Sequence, residues 1–326
     1  MTAKIIDGRA AAAELREELV RQLEELRDAG ARPGIATLMV GDDFGAGMYR
    51  ASVEKFCAEL GLGYRSETLP ATASEQEVVE AVRTLNSDSE VSGILPLRPF
   101  PPQISDSVVI ASISPDKDAD CFHPVNMGRL TLGEPTFPPA TPAACLELLE
   151  RYLRSEGKEV AEALEGAEVC VVGHSNTVGK PLAVMLLNRN ATVTVTHVYT
   201  SNRGNLAKHT TVADYLVVAT GVPHLIGADL VKEGVVVLDV GINRVVVCSK
   251  CGTLNRSKKN PCRTCGADLA EAEAKTVGDV DFEAVSAKAA AITPVPGGVG
   301  AVTNMMLARN VLRAARLQLG WQQRRA

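Results

Sequence analysis

The feature that most constrains this chain is a series of short, Val-rich apolar runs separated by stretches with helical spacing. Ala167–Val172, Thr192–His197, Tyr215–Ala219 and Val235–Val240 are nearly continuous in apolar character, as strands covered on both faces must be. A helix is expected over Gly179–Leu187, between the first two. The first half alternates in the same way. Strands are expected at Ile35–Val40, Tyr64–Leu69 and Val91–Leu97, with helices at Met48–Leu60 and Ser74–Leu85. Leu15, Leu19, Leu23 and Leu26 mark an opening helix over Arg9–Arg27, and Ser105–Ser112 reads as one or two further turns. Such alternation predicts an α/β fold of parallel βαβ units. At 326 residues the chain exceeds what one core holds, so two domains are expected. Their boundary is placed near Thr141-Pro142, where Thr141 suits an N-cap and Pro142 the first position of a helix running through Leu153. The last helix spans about Ala301–Leu319, with a frayed tail at Gln322–Ala326.

The net charge of −5 gives no basic field for nucleic acid or an anionic membrane. No apolar run is long enough to span a bilayer, and Met1–Gly8 holds no apolar core of signal-peptide length, so a cytoplasmic location is expected. Cys57, Cys121, Cys145 and Cys170 lie singly in apolar surroundings and are read as packing residues.

The other four cysteines form Cys248-x-x-Cys251 and Cys262-x-x-Cys265, ten residues apart, each pair followed by a glycine, Gly252 or Gly266. Arg256, Lys258 and Lys259 lie between them, with no sizeable apolar core. This is the pattern of a zinc ribbon inserted over residues 246–268, its fold supported by the metal. Four thiolates complete a tetrahedral site, so the zinc is structural. The basic loop is too small a patch to make nucleic acid an expected partner.

Val171–Pro181 sits where a strand turns into a helix. Gly173 there lets backbone approach a phosphate, and the helix start offers free N–H groups. It is not a G-x-G-x-x-G fingerprint, so on its own it reads as a tight turn as readily as a dinucleotide site.

The segment Gly173-His174-Ser175 through Pro181 resembles a motif of the methylenetetrahydrofolate dehydrogenase/methenyltetrahydrofolate cyclohydrolase family. So do Val40-Gly41-Asp42-Asp43 with Tyr49, Leu95-Pro96-Leu97, Pro115–Asp120 and Pro139–Pro142. Gly241-Ile242-Asn243, Gly278-Asp279-Val280 and Thr293–Gly300 complete the set, in the family's order and over nearly the whole chain. The resemblance implies a folate-binding αβα catalytic domain over 1–140, completed by the helix 301–326. It implies a Rossmann-like dinucleotide-binding domain over 141–300, which carries the zinc ribbon. It further implies a folate cleft between the domains and a homodimer through the dinucleotide domain. Tyr49 matches the tyrosine that stacks on folate, and Asp120 the aspartate that accepts the pterin's paired N–H groups; both are expected catalytic residues. Val53, Ile94, Leu95, Pro96, Pro294, Gly297 and Gly298 are expected to line the folate site. Thr141, Gly173, His174, Ser175, Val178, Gly179, Pro181, Thr220, Gly221 and Ile242 are expected to hold the dinucleotide.

Several positions depart from the family pattern. Val53 stands where the family has a lysine four residues after the tyrosine, and Ile94 is read as standing where it has a glutamine. Those two polar groups assist hydrolysis of the methenyl bridge, so cyclohydrolase activity is expected to be weak or lost. Hydride transfer needs alignment of two reactants more than a proton relay, so oxidation of methylenetetrahydrofolate is expected to survive. Cys121 replaces a family glycine after Asp120. His174 replaces the arginine that holds the 2′-phosphate of NADP, and Val198 replaces a serine, so NAD is favoured over NADP, with Lys180 as a compensating cation. Two other readings compete: a folate enzyme with altered one-carbon chemistry, and a non-catalytic folate- or dinucleotide-binding protein.

Overall fold

The computed structural model describes residues 2–134 and 136–320, and beyond these only helical backbone to Arg325. The expectation for the tail at Gln322–Ala326 lies outside the fully described residues. The chain divides into two compact units. One comprises the residues up to Ala11 with Ala144–Val302, the other Ala12–Ala143 with the chain from Thr303 onward. Among the described residues no helix is long and apolar enough to cross a membrane.

The strands in chain order are β1 (Lys4–Ile5), β2 (Gly34–Val40), β3 (Gly63–Leu69), β4 (Gly93–Pro96), β5 (Glu168–Val172) and β6 (Thr192–Thr196). They continue as β7 (Tyr215–Val218), β8 (Val236–Asp239), β9 (Asn243–Val247), β10 (Leu254–Asn255), β11 (Ala274–Val277) and β12 (Ala291–Ile292). In the unit formed mainly by the first half, β3-β2-β4 is an all-parallel sheet. Every residue of β2 is buried, which explains its unbroken apolar sequence. One face of this sheet meets Val78, Val82 and Leu85 of the helix Glu75–Ser87, together with Val109 and Ile113. That helix opens on a capping box: Ser74 accepts from the Glu77 N–H, and Glu77 accepts from the Ser74 N–H.

The other unit holds a six-stranded sheet in the order β1-β12-β8-β7-β5-β6, with every pairing parallel. Its core gathers Cys170, Val172, Leu216, Val218, Val237 and Ile292 from four strands. Cys57, Cys121, Cys145 and Cys170 are all buried, as packing residues should be. The opening residues depart from a domain over 1–140, because Lys4 and Ile5 pair with Ala291 and Ile292 at the edge of this sheet. The later limit moves too. The helix Ala140–Ser155 runs unbroken through the change of unit, and Thr141 lies in its first turn rather than at its N-cap.

The cysteine segment is carried by a third sheet, antiparallel, in the order β10-β9-β11. This sheet begins at Asn243 and closes at Val277, so the inserted element is wider than 246–268. Its strands are short and escape periodicity, because the cysteines rather than apolar alternation set the path.

Candidate functional site

The first cluster lies at the C-terminal end of the three-stranded sheet, the edge where open α/β sheets take ligands. Asp43 caps the helix Phe44–Leu60 by accepting from the Ala46 N–H, and this sets the helix start that presents Tyr49. Tyr49 is half-buried. Burial first, and the Asp120 carboxylate second, push its phenol above the usual range, which places the two groups in one electrostatic environment. The Asp120 carboxyl is pushed up to about 7, chiefly by burial. The Ala140 N–H, donated at 2.6 Å, opposes this; Asp118 adds to the rise and Arg98 counters it. Asp120 thus spends one oxygen on the start of the helix Ala140–Ser155.

Two residues that sequence reasoning did not single out hold this loop. Asp118 is fully buried and accepts from the Phe122 and His123 N–H groups and from the Asn126 side chain, at 2.8–2.9 Å. Asn310, in the last helix, donates to the Ala119 carbonyl at 2.8 Å and the Pro138 carbonyl at 2.7 Å. It therefore clamps the two segments that Asp120 and Ala140 join. Cys121 sits at φ +57°, in the left-handed region, which is the backbone reason a glycine suits that position.

The expected folate-lining residues do not all reach this edge. Val53 lies one helical turn beyond Tyr49 and is 0 % exposed. Ile94 is a correction. It sits inside β4, paired with Ala36, 0 % exposed and packed in the core with Val78, Val82 and Leu85. Leu95 and Pro96 are buried in the same strand. The residue that emerges where β4 ends is Arg98. Its guanidinium lies 4.2 Å from the Phe122 ring centroid and pairs with Asp106 at 3.3 Å. The position taken for the family glutamine is therefore a core position, and the apolar letter there says nothing about a site.

The second cluster follows β5. Gly173 has φ +124°, and a Cβ there would strike the Ala219 carbonyl oxygen; one on Gly179 would strike the Gly173 carbonyl. Only glycine permits this tight passage into the helix Gly179–Leu187. Ser175 closes it by accepting from the Val178 N–H at 3.1 Å. Among the described residues the backbone N–H groups of Ser175, Asn176 and Thr177 have no partner within the chain. These free donors at a helix start fit the pyrophosphate of a dinucleotide. Pro181 is buried in the first turn. His174 is exposed, and its ring lies 4.7 Å from His197, which meets Tyr199 edge-on at 5.7 Å.

A buried pair of aspartates, also missed from sequence, fixes the neighbouring loops. Asp279 accepts from the Thr220 N–H and hydroxyl, the Gly221 N–H and the Asn243 amide. Asp239 accepts from Gly241, Asp279 and Val280, and burial pushes its carboxyl up to about 7. Thr220, Gly221 and the start of β9 are thereby tied together. Ile242 projects at 68 % exposure beside them. Pro294 and Gly297 are half-buried and Gly298 is buried, where a Cβ would strike the Pro294 carbonyl. A signal for the aspartates was available in Gly278-Asp279-Val280, but the segment alone gave no hint of which N–H groups it serves.

The third cluster is the four cysteines, whose sulfurs lie within 4.8 Å of one another. Cys248 and Cys265 are 3.6 Å apart, and Cys251 and Cys262 are 3.5 Å apart. These are too long for disulfides, which need about 2.05 Å. Tetrahedral zinc–thiolate bonds of about 2.3 Å require sulfur edges of about 3.8 Å, which this cage nearly matches. The two halves repeat one turn. Gly252 donates to the Cys248 carbonyl at 2.8 Å and Gly266 to the Cys262 carbonyl at 2.9 Å, at φ +72° and +70°.

Comparison with known proteins decides the family. The model of the tetrahydrofolate dehydrogenase/cyclohydrolase catalytic domain matches residues 6–120, and that of its NAD(P)-binding domain matches residues 139–319. The chain belongs to the tetrahydrofolate dehydrogenase/cyclohydrolase family. Bifunctional protein FolD of Bacillus pumilus is 42% identical over 319 residues, covering 98% of this chain and 100% of that one. The crystal structure of the bifunctional FolD methylenetetrahydrofolate dehydrogenase/cyclohydrolase from Campylobacter jejuni is 37% identical, with a TM-score of 0.82 over 97% of this chain and 99% of that one. The Trypanosoma brucei methylenetetrahydrofolate dehydrogenase-cyclohydrolase, solved with NADP cofactor and an inhibitor, is 34% identical, with a TM-score of 0.81 over 98% and 99%.

Proposed function

We propose that this family member oxidises 5,10-methylenetetrahydrofolate to the methenyl form with NAD or NADP, and that its cyclohydrolase activity is weak. The observation that carries the second half is Val53. The position one turn beyond Tyr49 offers no proton-carrying group and no exposed surface. Ile94 no longer contributes to this reading, because it is a core residue. The retained polar pair, Tyr49 and Asp120, supports folate binding: an ionised Asp120 keeps one oxygen for the pterin while the other holds Ala140.

The free N–H groups of residues 175–177 would hold the dinucleotide pyrophosphate, with Gly173 and Gly179 keeping the turn narrow and Thr220 and Gly221 presenting backbone held by Asp279. When bound, the dinucleotide supplies the hydride acceptor. The chain's own task is alignment and exclusion of water. NAD is favoured because His174 is an exposed imidazole without the fork of an arginine. The four thiolates would hold one structural zinc, with no open position for catalysis. Assembly as a homodimer and a cytoplasmic location complete the proposal by analogy with the family.

Mixing the protein with methylenetetrahydrofolate and either dinucleotide tests it. A rise in reduced-nicotinamide absorbance with slow methenyl decay is expected. Methenyl hydrolysis keeping pace with oxidation would refute the loss of cyclohydrolase.

A further inference from the structure

Beside the cysteine cage lies a cavity of about 680 Å³, walled on one side by Val222, Pro223 and His224 and on the other by the segment from Thr253 to Thr264. That is the size of a small-molecule site. Two guanidiniums, Arg256 and Arg263, line it, and neither has an ion-pair partner among the described residues. No acidic residue lines the cavity, and none occurs between Cys248 and Ala267. Asn260 and Ser257 add neutral hydrogen-bonding groups to the lining.

The backbone that carries both arginines is held by the fold of the knob, and their side chains are exposed. Asn255, 7 % exposed, accepts from the Arg263 N–H at 3.1 Å and donates to the Thr253 carbonyl at 2.8 Å. This bond joins the residue just before Arg256 to the backbone of Arg263. The opposite wall is equally fixed. Gly221, immediately before Val222, is held by Asp279, and His224 sits at φ +52° with its N–H donated to the Gly278 carbonyl.

We propose that this cavity is a second anion site, built by the inserted knob, and that it binds a small phosphorylated metabolite. Two unpaired planar guanidiniums suit phosphoryl oxygens, which they grip through paired N–H donors. The hydroxyl and amide groups between them suit a sugar-like body. The lining holds no phenylalanine, tyrosine or tryptophan, and His224 is its one aromatic ring, which disfavours a run of stacked bases from single-stranded nucleic acid. The lining includes no residue of the turn after β5, but the wall at Val222 directly follows Thr220 and Gly221, so the two sites are distinguished by filling the dinucleotide site first.

The test uses the full-length, zinc-loaded protein saturated with NADP, so that the dinucleotide turn is already filled. Calorimetric titration with pyrophosphate and with ribose 5-phosphate should show saturable binding at one site per chain. Replacing both arginines, Arg256→Ala with Arg263→Ala, should weaken it about tenfold or more, since it removes both sets of paired, charged donors. Zinc content and NADP affinity should stay unchanged. If the alanine pair releases zinc, Arg256→Lys with Arg263→Lys keeps the charge and still removes the paired donors, and an intermediate loss is expected. Equal binding by the wild type and the substituted proteins, no binding at millimolar concentration, or tighter binding of a short single-stranded RNA than of pyrophosphate would overturn the proposal.

Discussion

Val53 and Ile94 read alike as apolar letters in a polar motif, but the structure gives them opposite consequences on substitution. Ile94→Gln places an amide in the core formed with Val78, Val82 and Leu85. It forfeits the burial of an isoleucine side chain, about 2–3 kcal/mol, and leaves amide groups without partners, about 1–3 kcal/mol more. A total of about 3–6 kcal/mol should lower the melting temperature of this unit by about 6–24 °C, at about 2–4 °C per kcal/mol. No hydrolytic activity should appear, because the side chain cannot reach a site. Val53→Lys should also destabilise, since the position is fully buried. Its stem, however, lies on the face of the helix that carries Tyr49, so its ammonium can follow the phenol outward. Methenyl hydrolysis should then rise by about 10²–10⁴-fold, the usual worth of a positioned proton carrier. The assay is decay of methenyltetrahydrofolate absorbance beside a thermal melt of each variant. Hydrolysis restored by Ile94→Gln alone, or a folded Val53→Lys protein that oxidises substrate but hydrolyses no faster than wild type, would refute this account of the pocket.

Four further outcomes are expected. Because burial pushes Asp120 up to about 7, its carboxylate is lost as pH falls through neutrality. The KM for methylenetetrahydrofolate should therefore rise below about pH 7, and Asp120→Asn should raise it at all pH values and flatten the profile. Asn310→Ala strands the Ala119 and Pro138 carbonyls and should cost about 2–5 kcal/mol in chemical denaturation, with a higher folate KM. Cys262→Ser should abolish stoichiometric zinc by metal analysis and expose the segment between β9 and β11 to proteases, while the six-stranded sheet stays folded. His174→Arg should shift kcat/KM toward NADP by about tenfold or more relative to NAD, and no shift would place the 2′-phosphate elsewhere.

What the sequence revealed, and what it withheld, follows from where the information is stored. The parallel strands were legible because burial on both faces writes itself into consecutive letters, as in β2 and in Val169–Val172. The cysteine cage was legible because metal geometry imposes spacing, and Gly252 and Gly266 mark turns that only a left-handed backbone completes. The short strand β1 was hidden, because two residues paired to β12 carry no periodicity and owe their place to a partner almost 290 positions away. Thr141 looked like a cap from its neighbour Pro142, yet the group bound to the Ala140 N–H is the carboxylate of Asp120, twenty residues earlier. Ile94 shows the same failure from the other side. Motif matching supplies an order of letters, but a strand decides which of them end inside a core and which emerge at its edge. Arg98 emerges there, beside Phe122 and within the field of Asp120, so it is the residue of that segment with the means to influence the carboxylate. Its charge opposes the rise that burial imposes on Asp120, while its own ion pair is with Asp106, so the strand end adds to that carboxylate's field a cation the motif does not include.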